Sequence, residues 1–241
     1  MDRIDFKTGT FYLGDCFDVM ASIPRKSVDM VFTSPPYNLG EGMEDKGGLR
    51  IGHAKSAWAA GALGSGYASH ADNMPYPEYC EWQRVCISMM WDLLKDDGAL
   101  FYQHKPRVVK KKLRLPFFVD LPLRQIIIWD RGSGFNHMSA AFKPVCEWIL
   151  LYAKEDFKLA SKGASSVGDV WRVKPEIKND HPAPFPLELV KLAIEATTCQ
   201  TILDPFAGSG TTAIAAIQSG RRWVCIERDP GYFEKAIARV W

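Results

Sequence analysis

The sequence lacks the features that place a chain in a membrane, in an oxidising compartment or around a metal ion. No apolar run in its 241 residues approaches the ~20 residues that a helix needs to span a bilayer. The opening stretch MDRIDFKTG has two acids and no hydrophobic segment, which is not the pattern of a signal peptide. The six cysteines are scattered, and none has the spacing of a CxxC pair or a zinc site. We therefore expect a cytoplasmic protein without disulfide, metal or membrane association.

A strong charge of one sign is also absent. The chain has 30 basic and 28 acidic residues, a formal net charge of +2, so any surface for nucleic acid must be local. Its content of 47% hydrophobic and 24% charged residues is typical of an ordinary soluble globular protein. The length allows one large domain or two small ones, and we expect a single domain over residues 1–241.

Strand-like and helix-like segments alternate along the chain. Short apolar runs predict strands, and segments with apolar residues at helical spacing predict helices between them. This alternation indicates an α/β architecture around a mostly parallel sheet. The predicted strands are 10–14, 28–32, 99–104, 123–129, 146–153, 200–204 and 221–227, and the predicted helices are 77–95, 187–198, 211–219 and 231–240.

Two segments differ from the rest in composition. Residues from 40 to about 75 contain many glycines and few branched apolar residues, which predicts an insertion loop that acts as a lid or as a recognition segment. The run KPRVVKKKLR, residues 105–114, is strongly basic. It predicts either a surface that contacts phosphates or a solvated helix face.

The stretch ILDPFAGSGTTAIAA, residues 202–216, predicts a ligand-binding turn. A strand ends at Asp204, a glycine-rich turn follows, and a helix begins near Thr211. Gly208 and Gly210 let a ligand approach the backbone, and the helix N-terminus presents free N–H groups to an anion. No lysine follows the second glycine, so the turn is not a P-loop.

Glu227, at the end of the next apolar run, favours a ligand that contains adenosine. A carboxylate about 20 residues beyond the first glycine binds the ribose hydroxyls in dinucleotide sites. The pattern fits both a nicotinamide cofactor and S-adenosylmethionine. In the second case Asp204 would bind the α-ammonium group and Phe206 would cover the ligand. A tight turn without any ligand is the remaining interpretation.

The stretch TSPPYN, residues 33–38, follows a buried strand and cannot continue the sheet. Its two consecutive prolines lack N–H donors and hold φ near −65°. The sequence therefore predicts a rigid corner that presents the hydroxyl of Ser34 and the ring of Tyr37. A rigid turn around a core tyrosine would have the same pattern.

Three motifs, in this order, resemble the permuted β group of DNA amino-methyltransferases: TSPPYN, HPAPFP (181–186) and DPFAGSGTT (204–212). The segment 12–38 is similar to the usual opening of that group. The resemblance implies transfer of a methyl group from S-adenosylmethionine to adenine N6 or cytosine N4. It also implies a permuted Rossmann-like fold, with a mostly parallel seven-stranded sheet and helices on both faces.

The resemblance implies roles for residues at matching positions. The catalytic corner would be Ser34, Pro35, Pro36 and Tyr37. The cofactor contacts would be Asp15, Cys16, His181, Pro184, Phe185, Asp204, Phe206, Gly208, Gly210, Thr211, Thr212 and Glu227. Basic and polar residues of the predicted loops are candidates for contacts with DNA: Arg50, Lys105, Arg107, Lys110, Lys111, Lys112, Arg131, Asn136 and His137.

The catalytic corner suits methylation of an exocyclic amine, which is a weak nucleophile because its lone pair is conjugated into the ring. The hydroxyl of Ser34 and the carbonyl of Pro35 would each accept one N–H, and would aim the lone pair at the methyl group. The ring of Tyr37 would stack on a base flipped out of the duplex. No cysteine follows a proline, which argues against carbon-5 methylation.

Serine at the position of Ser34 favours cytosine N4, since relatives with serine there are mostly cytosine enzymes and those with aspartate mostly adenine enzymes. Adenine N6 is the alternative. Methylation of RNA or of a protein amide, a non-catalytic cofactor- or DNA-binding module, and a nicotinamide oxidoreductase are the other classes considered. The implied partner is double-stranded DNA, and the resemblance leaves open a homodimer, a cognate restriction endonuclease and a bacterial, archaeal or phage origin.

Overall fold

The computed structural model of the chain describes residues 2–38, 73–109, 111–134, 142–175 and 185–241. In these ranges the strands are β1 (Asp2–Asp5), β2 (Gly9–Leu13), β3 (Val28–Thr33), β4 (Leu94–His104), β5 (Arg107–Val109), β6 (Lys112–Arg114), β7 (Leu123–Asp130), β8 (Cys146–Ala153), β9 (Val170–Arg172), β10 (Thr201–Asp204) and β11 (Arg222–Glu227). The helices are α1 (Cys16–Ser22), α2 (Tyr76–Leu93), α3 (Lys162–Ser165), α4 (Leu187–Glu195), α5 (Thr211–Gln218) and α6 (Pro230–Val240).

A mixed sheet organises the described part of the chain. Its strand order is β1-β2-β11-β10-β3-β4-β8-β7-β9. The pairs from β2 to β4 and the pair β7–β9 are parallel, whereas β1–β2, β4–β8 and β8–β7 are antiparallel. The predicted α/β fold with a mostly parallel, Rossmann-like sheet is confirmed. The prediction of seven strands was too low, because the short strands β1 and β9 extend the sheet at its two edges.

Helices cover both faces of this sheet and bury two apolar clusters. On one face α4, α5 and α6 pack with Phe32, Phe101 and Trp223. On the other face α1 and α2 pack with Leu100 and Tyr102. Strands buried on both faces need near-continuous apolar runs, and this requirement explains why the sequence shows such runs rather than strict alternation.

Strands β3 and β10 lie side by side although they are far apart in the chain. Met30 and Val31 of β3 pair in parallel with Ile202 and Leu203 of β10. The next strand after β10, β11, lies on the opposite side of β10. This is the switch point of the sheet, where ligands bind in open α/β folds. It also brings together the two predicted motifs, because both follow the carboxyl ends of these strands.

Two local predictions were wrong. The helix predicted to reach residue 95 ends at Leu93, because Leu94 already has extended angles (φ −70°, ψ 138°) and pairs with Val28. The alternative of a helix face for residues 105–114 is replaced by the hairpin β5–β6. In that hairpin Arg107 pairs with Arg114, and Lys111 takes a left-handed φ of 64° at the turn.

The insertion predicted from residue 40 lies mainly outside the described residues. Among the described helices, none combines the length and the apolar character needed to cross a bilayer. The six cysteines are free thiols. Within the described ranges, acidic, histidine and cysteine side chains form no cluster suited to a metal ion.

Candidate active site

The glycine turn between β10 and α5 has the backbone that the sequence predicted. Gly208 and Gly210 have φ values of 50° and 79°, a backbone region that residues other than glycine rarely occupy. Gly210 is the N-cap of α5, and a Cβ there would lie 3.2 Å from the Cβ of Ala236. The turn therefore leaves the N-terminus of α5 directed toward the carboxyl edge of the sheet, where an anion would be bound by free N–H groups.

Glu227 lies beside this turn at the end of β11. One carboxylate oxygen accepts the N–H of Gly208 at 2.8 Å, and the other accepts the N–H of Asp229 at 2.8 Å. Burial raises the pKa of Glu227, although these backbone donors oppose the shift. Each oxygen keeps lone-pair sites for a further donor, so the carboxylate fits a pair of ribose hydroxyls.

The end of β2 lies next to Glu227. The N–H of Gly14 donates to the carbonyl of Glu227 at 2.9 Å. Asp15 caps α1 by accepting the N–H of Phe17 at 2.9 Å, and its second oxygen lies 3.6 Å from Arg228. Cys16 is buried beneath it. The structure therefore brings Asp15 to the same edge as Glu227, as a contact with adenine would require.

Asp204 joins the two motifs. It is fully buried and accepts the hydroxyls of Thr33 at 2.7 Å and Thr212 at 2.6 Å, together with the N–H of Phe206 at 3.1 Å. Burial raises the pKa of Asp204 to about 6, against the effect of these three donors. The carboxyl group thus ties the glycine turn to the end of β3. Its predicted contact with the α-ammonium group of the cofactor stays a prediction.

The titration of Asp204 leads to a testable pH dependence. Because its folded pKa of about 6 is above the ordinary 3.8, the protonated carboxyl stabilises the fold below about pH 4, and this contribution is lost as the pH rises through 6. The loss is on the order of 2–3 kcal/mol. Asp204→Asn does not titrate, so its free energy of unfolding relative to wild type should increase from about pH 4.5 to about pH 7.

Denaturant unfolding at several pH values measures this difference. Asp120→Asn, in an exposed loop, is the matched control for the loss of one carboxylate. A constant difference between Asp204→Asn and wild type over this range would contradict the buried, proton-binding environment of Asp204.

The corner after β3 is held by hydrogen bonds to its carbonyl groups. The carbonyl of Pro36 accepts the hydroxyl of Tyr79 at 2.8 Å and the amide of Gln83 at 3.2 Å. The guanidinium of Arg107 donates to the carbonyl of Tyr37 at 2.6 Å and also to that of Asn38. Rigidity therefore comes from the prolines and from donors supplied by α2 and β5.

The side chains of Ser34 and Tyr37 meet at this corner. Their hydroxyl oxygens are 2.8 Å apart, and the hydroxyl of Tyr37 also donates to Glu147 at 3.2 Å. The ring of Tyr37 is buried, with the His104 ring at 4.7 Å between centroids and the Lys105 ammonium 5.0 Å above it. Stacking on a flipped base stays a prediction, and such a base would displace the Lys105 ammonium.

Glu147, on β8, is a site residue that sequence reasoning missed. It is 5% exposed and accepts the amide of Gln103 at 2.7 Å, while Arg131 forms an ion pair with its other oxygen at 3.1 Å. A single acid inside the apolar run CEWILLYA was the available signal, since buried acids are rare unless paired. Arg131 was predicted to contact DNA, but its guanidinium here is directed at Glu147.

His104 is a second missed residue, at the end of β4. Burial lowers the pKa of His104 to about 3, so its ring is neutral. The N–H of Lys105 donates to Nδ1 at 2.8 Å, and Nε2 lies 2.8 Å from the hydroxyl of Tyr79. Because Tyr79 donates its own proton to Pro36, Nε2 carries the ring proton and donates to Tyr79. His104 therefore supports the corner and does not act as a base.

The remaining predicted residues divide into two groups. Phe206 packs near Trp82 at 5.6 Å between ring centroids, and buried Phe185 packs against Phe32 at 5.3 Å. Lys111 and Lys112 are exposed at the tip of the hairpin. Thr211 is buried at the start of α5. Six further predicted residues lie outside the described part of the chain: Arg50, Lys110, Asn136, His137, His181 and Pro184.

The switch point, the glycine turn with Glu227, and the rigid corner after β3 define a methyltransferase of the permuted Rossmann-like class. Residues 28–238 match the family described as DNA methylase, which modifies N6 or N4 amino groups, and the chain belongs to this family. The protein is therefore a DNA amino-methyltransferase that uses S-adenosylmethionine.

Relatives of known type agree with this assignment. The chain is 28% identical to the Type II methyltransferase M2.MboI of Moraxella bovis over 95% of this chain and 86% of the relative. It is 26% identical to the DNA adenine methyltransferase YhdJ of Escherichia coli (strain K12) over 99% of this chain and 84% of the relative. The solved PvuII DNA methyltransferase, which is cytosine-N4-specific, has a similar fold, with a TM-score of 0.74, 19% identity, and coverage of 98% of this chain and 87% of that chain.

Proposed function

We propose that this protein methylates N4 of cytosine, flipped out of double-stranded DNA, within a specific sequence. The observation that carries the choice of base is the hydroxyl of Ser34, 2.8 Å from that of Tyr37, at the carboxyl end of β3. The resemblance of this motif to the amino-methyltransferase family implies cytosine, because serine at this corner is associated mostly with its cytosine enzymes. Adenine N6 is the alternative, since the family includes both activities and YhdJ is an adenine enzyme.

The geometry supports a role of Ser34 and Pro35 in orienting the amine. The Pro36 carbonyl is engaged by Tyr79 and Gln83. Among the described residues no donor contacts the carbonyl of Pro35. We propose that the oxygen of Ser34 and the carbonyl of Pro35 each accept one N–H of the substrate amine. The nitrogen lone pair is then free to point toward the methyl donor.

The cofactor residues fit S-adenosylmethionine in a complementary way. Glu227 would accept the ribose hydroxyls, the N-terminus of α5 would bind the carboxylate, and Asp15 would contact the adenine. When bound, the cofactor supplies an activated methyl group on sulfur. Ser34 and Pro35 would hold the amine with its lone pair toward that methyl group, and the methylated amine would release its surplus proton to solvent. This chain's residues hold the amine in line and exclude water.

We propose that the hairpin β5–β6 contacts the DNA backbone next to the corner. Arg107 ties the hairpin to the carbonyls after Tyr37, and Lys111 and Lys112 are exposed at its tip. Cations in this position would bind phosphates and make affinity fall with salt. Homodimer formation and a cognate restriction endonuclease stay predictions.

Nucleoside mass spectrometry of DNA treated with the protein and S-adenosylmethionine tests the choice of base. We expect N4-methylcytosine, absent when the cofactor is omitted. Ser34→Ala should give the same product at a lower rate, because it removes one acceptor without changing the pocket's shape. N6-methyladenine as the product would overturn the proposal of cytosine and support the alternative.

A further inference from the structure

The hydroxyls of Ser34 and Tyr37 and the carboxylate of Glu147 form a continuous hydrogen-bonded chain. Ser34 and Tyr37 are 2.8 Å apart, and Tyr37 and Glu147 are 3.2 Å apart. Glu147 reaches the corner from β8, which pairs with β4 in antiparallel register. The three residues come from distant parts of the sequence, and the corner motif itself contains only two of them.

The direction of this chain follows from the number of protons available. A carboxylate only accepts hydrogen bonds, so the single proton of the Tyr37 hydroxyl is donated to Glu147. The contact between Ser34 and Tyr37 then needs the proton of Ser34. Ser34 therefore donates to Tyr37, and the lone pairs of its oxygen are left to accept a proton from elsewhere.

The surroundings of Glu147 supply three hydrogen-bond donors. The amide of Gln103 donates to the same oxygen as Tyr37, at 2.7 Å, and the guanidinium of Arg131 faces the other oxygen at 3.1 Å. The side chain is 7% exposed, so water does not compete strongly for these contacts. Three donors around one buried carboxylate leave no room for a reversed bond.

We propose that Glu147 is a positioning residue for methyl transfer: through Tyr37 it orients the hydroxyl of Ser34 so that this oxygen accepts an N–H of the target amine. This inference rests on the proposed role of Ser34, and it does not depend on whether the base is cytosine or adenine. If Ser34 instead accepted a hydrogen bond from Tyr37, its own proton would face the N–H of the amine, and the two donors would repel each other.

Glu147→Gln is the variant that reverses the chain. An amide NH2 directed at Arg131 would meet a guanidinium, which has no acceptor to offer. On the other side the Gln103 amide can flip and present its oxygen, which has no partner here, so the NH2 should face Tyr37 and Gln103 instead. Tyr37 would then donate to Ser34, and Ser34 would direct its proton at the substrate. We expect the single-turnover rate of methyl transfer to fall roughly 10- to 100-fold, the loss expected for one strong hydrogen bond. The dissociation constants for S-adenosylmethionine and DNA should change by less than about two-fold.

A double-mutant cycle with Tyr37→Phe separates orientation from structural support. Tyr37→Phe keeps the ring and the contacts of Glu147 with Gln103 and Arg131, but it cuts the chain. In this background Glu147→Gln should cause no further loss of rate. Glu195→Gln, exposed at the end of α4, is the control and should keep the wild-type rate.

Two results would overturn the inference. One is the same rate loss for Glu147→Gln with and without the Tyr37 hydroxyl, which would indicate structural support alone. The other is a wild-type rate for Tyr37→Phe, a test that still applies if Glu147→Gln fails to fold. Product analysis of the wild type stands apart from both, because N6-methyladenine would refute the choice of cytosine and leave these rate comparisons valid.

Discussion

Tyr37→Ala is expected to slow methyl transfer by at least ~100-fold, the cost of misplacing reacting groups by about 1 Å. The substitution removes the hydroxyl that lies between Ser34 and Glu147. It also removes the ring that packs against His104 and lies below the Lys105 ammonium. The hydroxyl of Ser34 would lose its fixed direction, and a flipped base would lose its stacking partner.

The same variant should still bind S-adenosylmethionine, because the proposed cofactor contacts come from other strands. The glycine turn follows β10, Glu227 ends β11 and Asp15 follows β2. Titration calorimetry should give a dissociation constant within about two-fold of wild type. Truncation of a buried aromatic side chain costs stability, so the assay needs a temperature well below the measured melting point. Near-normal turnover of Tyr37→Ala would refute the role of this corner in catalysis.

The backbone geometry of the glycine turn and of the corner after β3 could be predicted from the sequence because each is a continuous motif. Gly208 and Gly210 mark the turn through their backbone freedom, and the two prolines after Ser34 mark the rigid corner. The alternation of apolar runs was enough for the α/β fold. The conformational preferences of glycine and proline act on neighbouring residues only, so a short stretch of sequence was sufficient to predict both turns.

The support of the corner could not be predicted, because it depends on strand pairing. Glu147 and Gln103 meet only because the start of β8 pairs in antiparallel register with the carboxyl end of β4. Asp204 and Thr33 meet only because β10 lies beside β3. The basic run was ambiguous for a related reason, since its valines and leucine fit a hairpin as well as a helix face.

The glycine turn and the corner after β3 are predicted to act at different steps, the first in cofactor binding and the second in methyl transfer. Glu227 accepts the N–H groups of Gly208 and Asp229, and these bonds fix the carboxylate next to the glycine turn. The contacts proposed for this turn are with the cofactor and not with the target amine. Their loss should therefore weaken cofactor binding and leave the rate at saturating cofactor much less affected.

Glu227→Ala is expected to weaken the binding of S-adenosylmethionine on the order of 100-fold, which corresponds to two lost hydrogen bonds to a charged group. Calorimetry measures the affinity, and initial rates over a range of cofactor concentrations should show a raised KM. Glu234→Ala, exposed on the neighbouring helix α6, is the matched control and should bind normally. An unchanged dissociation constant for Glu227→Ala would contradict the proposed contact between Glu227 and the ribose.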